Sequence, residues 1–230
     1  MLRLLAIETA TEACSVALYQ DGEVLECFEI APRRHAALVL PWVEALTAEA
    51  GVVLNQLDAI AFGRGPGSFT GLRIAAGITQ GVAFGADVPV VPISTLAALA
   101  RGVRDISGNA QILAALDARM QEVYWGAYRF EADGRAVLTG EECVCAPSAV
   151  PVPEAGDWLG AGSGWAAFGD VLMKRCALPA TGHVADWQPH AADVARLAAI
   201  HYRAGDAVPP EQAAPIYLRD NVADKPKAKV

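Results

Sequence analysis

Apolar positions along the first hundred residues alternate between a strand rhythm and a helix rhythm. Leu2 to Glu8 is an apolar strand. Ser15–Gln20 and Glu23–Ile30 follow as two more strands, joined by Asp21-Gly22, the strongest short hairpin signal. Apolar residues at helical spacing then predict a helix from Arg34 to Ala50, interrupted by Pro41. Leu57–Phe62 reads as a strand, Thr70–Gly85 as a long helix and Val88–Ile93 as a strand, and Ser94 caps a helix over Thr95–Val103.

The resulting order, βββαβαβα, is that of one half of an actin/Hsp70/sugar-kinase (ASKHA) type α/β fold, a mixed sheet with helices against it. Asp105–Asn109 is the linker candidate, dividing a first subdomain (1–104) from a second (105–230). After it the hairpin pattern restarts with strands at Ala110–Leu116, Glu122–Phe130 and Ala136–Val144, and Asp133-Gly134 turns the second into the third. The two subdomains are thus related, with no detectable sequence repeat. The second decays into a proline-rich loop (Pro147–Gly156), a short strand (Asp157–Gly160) and helices at Trp165–Cys176 and Ala191–Ala204, so it is truncated. Pro215–Arg219 is expected to return to the first half.

Composition narrows the function. The chain is 53% hydrophobic and 19% charged, with no uncut apolar run of the roughly 18 residues a membrane helix needs. The apolar start at Met1–Glu8 lacks a small-residue cleavage site and reads as a strand rather than a signal peptide. Five cysteines without a C-x-x-C spacing suit reduced thiols in the cytoplasm. The net charge of −8, with ten acidic against five basic residues in the first hundred, argues against independent binding of nucleic acid. Only Lys225-Pro226-Lys227-Ala228-Lys229 is basic, and it reads as a solvated terminus.

Gly63-Arg64-Gly65-Pro66-Gly67-Ser68-Phe69-Thr70-Gly71 carries the candidate chemistry. A glycine-dense turn between a strand and a helix brings N–H groups and a positive dipole end to one place, as phosphate cradles do. There is no Gly-Lys-Ser/Thr, and no lysine precedes Lys174, so it is not a Walker A loop. A structural strand-to-helix joint and a phosphate site both remain open. His35, His183, His190 and His201 have no partner at metal-binding spacing.

Five segments in order, Ile7-Glu8-Thr9-Ala10-Thr11, Arg34-His35 to Pro41, the glycine loop through Arg73, Asp117 to Tyr124, and Pro215-Ile216-Tyr217-Leu218-Arg219, closely resemble the bacterial TsaB (YeaZ) family. The resemblance spans nearly the whole chain. It implies an ASKHA fold and a subunit of the machinery that makes threonylcarbamoyladenosine (t6A) in tRNA. It further implies a degenerate relative of the catalytic subunit TsaD, itself once called a glycoprotease, acting with TsaD and the ATPase TsaE. The TsaD metal pair H-x-x-x-H would fall on Thr95 and Leu99, neither of which is a useful ligand. Its second phosphate turn would fall on Leu116–Met120, where Asp117 repels phosphate. Degenerate nucleotide loops are left at Glu8, Thr9, Gly65, Gly67 and Gly162, with loop ordering expected of Glu8 and Thr9. No cofactor is expected on this chain alone; ATP and metal belong to the partners.

A helix face remains. Gly77, Gly81 and Gly85 recur every four residues, each costing about 1 kcal/mol against alanine inside a helix. Either this chain's own sheet or a partner's helix approaches there. With Leu38, Trp42, Ala45 and Leu46 on the preceding helix, and Leu72, Ile74 and Ile78 on the glycine helix, the expected contact is a four-helix pairing. The expected partner is TsaD, or a second copy when the chain is isolated. The function expected is that of a non-catalytic activator. An autonomous ATPase or phosphotransferase using Glu8, and a glycoprotease-like peptidase, are the alternatives.

Overall fold

Two five-stranded sheets of one strand order build the molecule, in a computed structural model that describes residues 1–179 and 181–219. In the first lobe β1 (Arg3–Glu8), β2 (Ala13–Gln20) and β3 (Glu23–Ile30) are antiparallel neighbours. After α1 (His35–Glu49), β4 (Ala59–Gly63) pairs parallel to β1; after α2 (Phe69–Ala86), β5 (Val90–Ile93) pairs parallel to β4. Helix α3 (Thr95–Ser107) leads to the second lobe. There β6 (Gln111–Asp117), β7 (Val123–Phe130) and β8 (Ala136–Cys145) are antiparallel, and β9 (Leu159–Ala161) and β10 (His183–Val184) add parallel strands beside β6. Helix α4 (Ser163–Cys176) connects β9 to β10, and α5 (Ala191–Ala204) follows.

The orders β3-β2-β1-β4-β5 and β8-β7-β6-β9-β10 are the same topology twice. The second copy is shortened: no α-helix stands where α1 would, only a 3-10 turn at Pro147–Ala149, and β9 and β10 have three and two residues.

Each lobe's last helix packs on the other lobe's sheet. Helix α3 lies against β6 and β7, whereas α5 lies against β1, β2 and β4, and the two helices touch. The face of α5 is small, with Ala191, Ala192, Ala195, Ala198 and Ala199 buried beside Val194 and Leu197, so the sheets can close on it. One core therefore runs through both lobes, while α1 and α2 cover the outer face of the first sheet and α4 that of the second. A lobe pulled away would expose many side chains worth about 1.5–3 kcal/mol each.

Two local expectations differ. Helix α1 runs unbroken through Pro41. Proline removes one hydrogen bond and costs about 3 kcal/mol, but Ala37 and Pro41 face solvent, while Val39, Val43 and Leu46 are buried. Packing outweighs the lost bond. The linker at Asp105–Asn109 is helical through Ser107, because Asp105 pairs with Arg101 one turn earlier (2.8 Å) and the left-handed C-cap is Gly108. The basic tail at Lys225–Lys229 lies outside the described residues.

Candidate functional site

The glycine loop leaves β4 at Gly63 and enters α2 at Phe69, where Ser68 is the N-cap and its Oγ accepts from the Gly71 N–H at 3.5 Å. Its glycines face this chain's own atoms at close range. A Cβ at Gly63 would stand 1.9 Å from the Glu8 carboxylate, and one at Gly65 2.7 Å from the Ile216 carbonyl. At Gly67 it would stand 2.5 Å from the Ala10 carbonyl, and at Gly71 1.9 Å from that of Thr9. Donors that could cradle an anion are also used internally: Arg64 N–H bonds to the Ile93 carbonyl (2.8 Å) and Ser68 N–H to that of Ala10 (2.7 Å). The loop's glycines thus pack closely against the β1–β2 connection and Ile216.

Glu8, at the end of β1, is 1% exposed. Its Oε1 accepts from the Ala10 N–H at 2.6 Å and its Oε2 from the Thr95 hydroxyl at 3.1 Å. Burial pushes its carboxyl up to about 7, against these hydrogen bonds, which favour the ionised form. Thr9 donates from Oγ1 to the Gly71 carbonyl at 2.8 Å, tying the β1–β2 connection to the start of α2. Leu99 is fully buried and reaches the Gly162 loop, where a Cβ would stand 2.5 Å from its Cδ2. Leucine thus fills the space between α3 and the β9–α4 turn. Among the described residues, no group of three or more His, Cys, Asp and Glu is placed to share a metal.

The histidines act separately. His35 is the first residue of α1, and its Nε2 lies 3.1 and 3.2 Å from the carbonyls of Thr11 and Ala13. His190 pairs with Glu26 at 3.0 Å and stacks on Phe28 at 4.1 Å, while His201 pairs with Asp206 at 2.8 Å. His183 stacks on Trp165 at 5.7 Å.

A cleft of about 860 Å³ lies between the lobes, walled by Ala10–Glu12 and Pro66–Phe69 on one side and Leu116–Met120 on the other, with Ile216–Arg219 also in its lining. Arg119 pairs with Glu12 across it, and Arg64 pairs with Glu142 of the other lobe, each at 3.6 Å. The Glu142 carboxylate also accepts from the hydroxyls of Ser94, the α3 N-cap, and Tyr128, and its charge and burial hold the Tyr128 hydroxyl well above its ordinary range. Asp117 accepts from the Arg119 N–H (2.8 Å) and pairs with its guanidinium (3.2 Å), so this carboxylate is turned onto its own loop. Nothing in the local pattern signals the Arg64–Glu142 contact, which joins residues 78 apart in sequence.

The surface of α1 and α2 gives a clear answer on the glycine stripe. Gly77, Gly81 and Gly85 are exposed, with no atom within 4 Å of a Cβ built on any of them. Ala75, Ala76, Thr79 and Ala83 face the sheet instead. Among the described residues, then, nothing packs on the glycines. Ala45 is exposed beside them in the two-helix layer, Leu38, Trp42, Ile74 and Ile78 are half-buried, and Phe84, 62% exposed, follows Gly81 by one turn. Leu46 and Leu72, by contrast, are 3% and 1% exposed. Leu46 lies in the first-lobe core and Leu72 lies against Gly65 of the glycine loop, so neither is available to a partner on this face.

Doubled topology and a cleft between the two lobes define an ASKHA-like protein. Residues 28–227 match the family described as TsaD: tRNA N6-adenosine threonylcarbamoyltransferase. The tRNA threonylcarbamoyladenosine biosynthesis protein TsaB of Escherichia coli is 42% identical over 97% of both chains, and that of Haemophilus influenzae 40% identical over 97% of this chain and 96% of its own. The solved structure of YeaZ from Pseudomonas aeruginosa superposes with a TM-score of 0.88 at 47% identity, covering 95% of this chain and 100% of that one. The chain belongs to the TsaB family.

Proposed function

We propose that this chain is a non-catalytic subunit in forming the threonylcarbamoyl group on the adenosine beside the anticodon of tRNAs reading A-starting codons. It acts by pairing its α1–α2 face with the equivalent helices of a TsaD subunit. The observation that carries this reading is the open glycine face. Three helix-interior glycines with none of the described residues against them cost stability unless another backbone approaches. The filled glycine loop and the Leu99–Gly162 packing support assigning ATP, metal and catalysis to the partners, TsaD and TsaE. With a net charge of −8 the chain meets tRNA only through the complex, and it works in the cytoplasm. No described helix is long and apolar enough to cross a membrane.

A reconstituted mixture tests the reading directly: tRNA modification by TsaD and TsaE should require this chain, which alone should neither modify tRNA nor hydrolyse ATP. Stoichiometric zinc or iron in the purified chain, or ATP turnover that vanishes in Glu8→Ala, would instead make it an enzyme. Without its partner the same face should pair two copies, since a two-fold contact covers both patches. Sedimentation velocity at about tens of micromolar, a range suited to a modest interface, should show a dimer that Gly81→Leu converts to monomer. A wild-type monomer under those conditions would contradict the assignment of the face.

A further inference from the structure

A segment unused by the pairing above runs along the first lobe and crosses the mouth of the cleft. The carbonyl of Ala213 accepts from Gln80 Nε2 of α2 at 3.1 Å, and the Ile216 N–H donates to the Arg64 carbonyl at 2.7 Å. The Ile216 carbonyl in turn lies over Gly65, whose φ of +106° and missing side chain permit the approach. Tyr217 packs beside Phe69, ring centroids 5.3 Å apart, and its hydroxyl accepts from Arg73 Nε at 3.2 Å. Arg73 itself lies over the Phe69 ring at 3.9 Å. Arg219 then reaches the opposite lobe, pairing with Glu122 and touching Met120 Sδ at 3.6 Å. That β6–β7 turn holds Arg119, Met120 and Gln121 at φ of +61°, +54° and +62°. Such a conformation costs non-glycine residues about 1–3 kcal/mol each and persists only where the surroundings hold it.

We propose that this chain's own segment Ile216–Arg219 is a strap built into the wall of the interlobe cleft, gripped by the first lobe at Ile216 and Tyr217 and by the second at Arg219, and that seating it holds the cleft's two facing loops against each other. Recognition runs first through main chain, at the Ile216 N–H and carbonyl, and then through side chains on both walls. That is how extended peptides are held, with backbone bonds for affinity and side-chain pockets for register. Ion pairs of Arg119 with Glu12 and Asp117, of Arg64 with Glu142 and of Arg219 with Glu122 brace the same region between the lobes. Gly65 takes its meaning from the same contact: any side chain there would strike the backbone of the segment.

Hydrogen exchange read by mass spectrometry on the full-length chain tests this without any partner. In Tyr217→Ala/Arg219→Ala, amides of both walls, 64–70 and 117–123, should exchange about 10-fold faster or more, the scale of losing charge-assisted contacts that close a local opening. Amides of β1 and α5 should be unchanged. A synthetic peptide of residues 213–219 added to this variant should restore protection on both walls. Faster exchange confined to 213–219 would overturn the proposal, as would walls that protect equally in both proteins. If the double variant does not fold, Arg219→Gln removes only the grip on the second lobe. It should then speed exchange at 117–123 alone, and no change there would be equally decisive.

Discussion

Gly81→Leu should abolish pairing with TsaD and tRNA modification in the reconstituted mixture while leaving this chain as stable as before. Outside its own helix turn, no atom of the described residues lies within 4 Å of a Cβ at this position, and the residue is exposed on α2, so leucine meets no other described residue. Helix propensity favours leucine over glycine by nearly 1 kcal/mol, so the melting temperature should hold or rise. Against a partner helix the sign reverses. A bulky side chain where two backbones approach overpacks by about 1–3 kcal/mol, roughly a 5- to 150-fold loss of affinity. Thermal melting and titration calorimetry on the same protein separate the two effects. Normal pairing with a normal melting temperature would show that α2 is not the interface. A lower melting temperature would contradict the open face itself. Gly77→Leu should act in the same direction, and Ala75→Leu should not: Ala75 is buried against the sheet, so there the cost falls on folding.

The sequence carried the order of elements because each lobe alternates strand and helix periods cleanly. The doubled topology followed from the second hairpin pattern, although β10, with two residues, has no period to detect. Local rules failed where a single residue was weighed without its surroundings. Pro41 sits on the solvent side of a helix held by Val39 and Val43, and Asp105, read as part of a linker, closes an ion pair one turn back. The glycine stripe was legible as a periodic cost but not in its direction. Ala75, Ala76 and Ala83 share α2 with the glycines, and composition alone does not say which small residues meet the sheet. The cleft was least legible. Near it Ile216 seats on Gly65 and Glu142 pairs with Arg64, both contacts between distant segments that no local pattern encodes. Leu46 and Leu72 were assigned to the partner on helical spacing, which marks an apolar stripe without telling its inner from its outer edge.

Glu8→Gln should stabilise the chain at pH 8 and change little at pH 4.5. Burial raises the Glu8 carboxyl from 4.5 to about 7, so the folded state holds its proton more tightly than the unfolded chain does. The contribution of that proton to stability is complete below the unfolded value and is lost as pH rises through the folded one, between about 4.5 and 7. At 1.36 kcal/mol per pKa unit the loss is about 3–4 kcal/mol, or roughly 7–14 °C for a domain of this size. Glutamine keeps the geometry: its Oε1 accepts from the Ala10 N–H, and its amide donates to Thr95 Oγ1, whose proton turns away. It has no charge to lose. Asp193, raised by burial to about 6, sheds stability over an overlapping range but is common to both proteins and cancels in the difference. Melting curves from pH 4.5 to 8 should therefore diverge with rising pH, the variant above the wild type. Curves that run parallel would mean the carboxyl is ionised in the fold and balanced by a charge. The result also bears on chemistry. A carboxyl that is buried, doubly bonded and half-protonated near neutrality orders a loop, whereas a phosphotransferase would need it ionised and facing the cleft. Glu8→Gln should accordingly support full tRNA modification with TsaD and TsaE, and a loss of modification with pairing intact would return Glu8 to the chemistry.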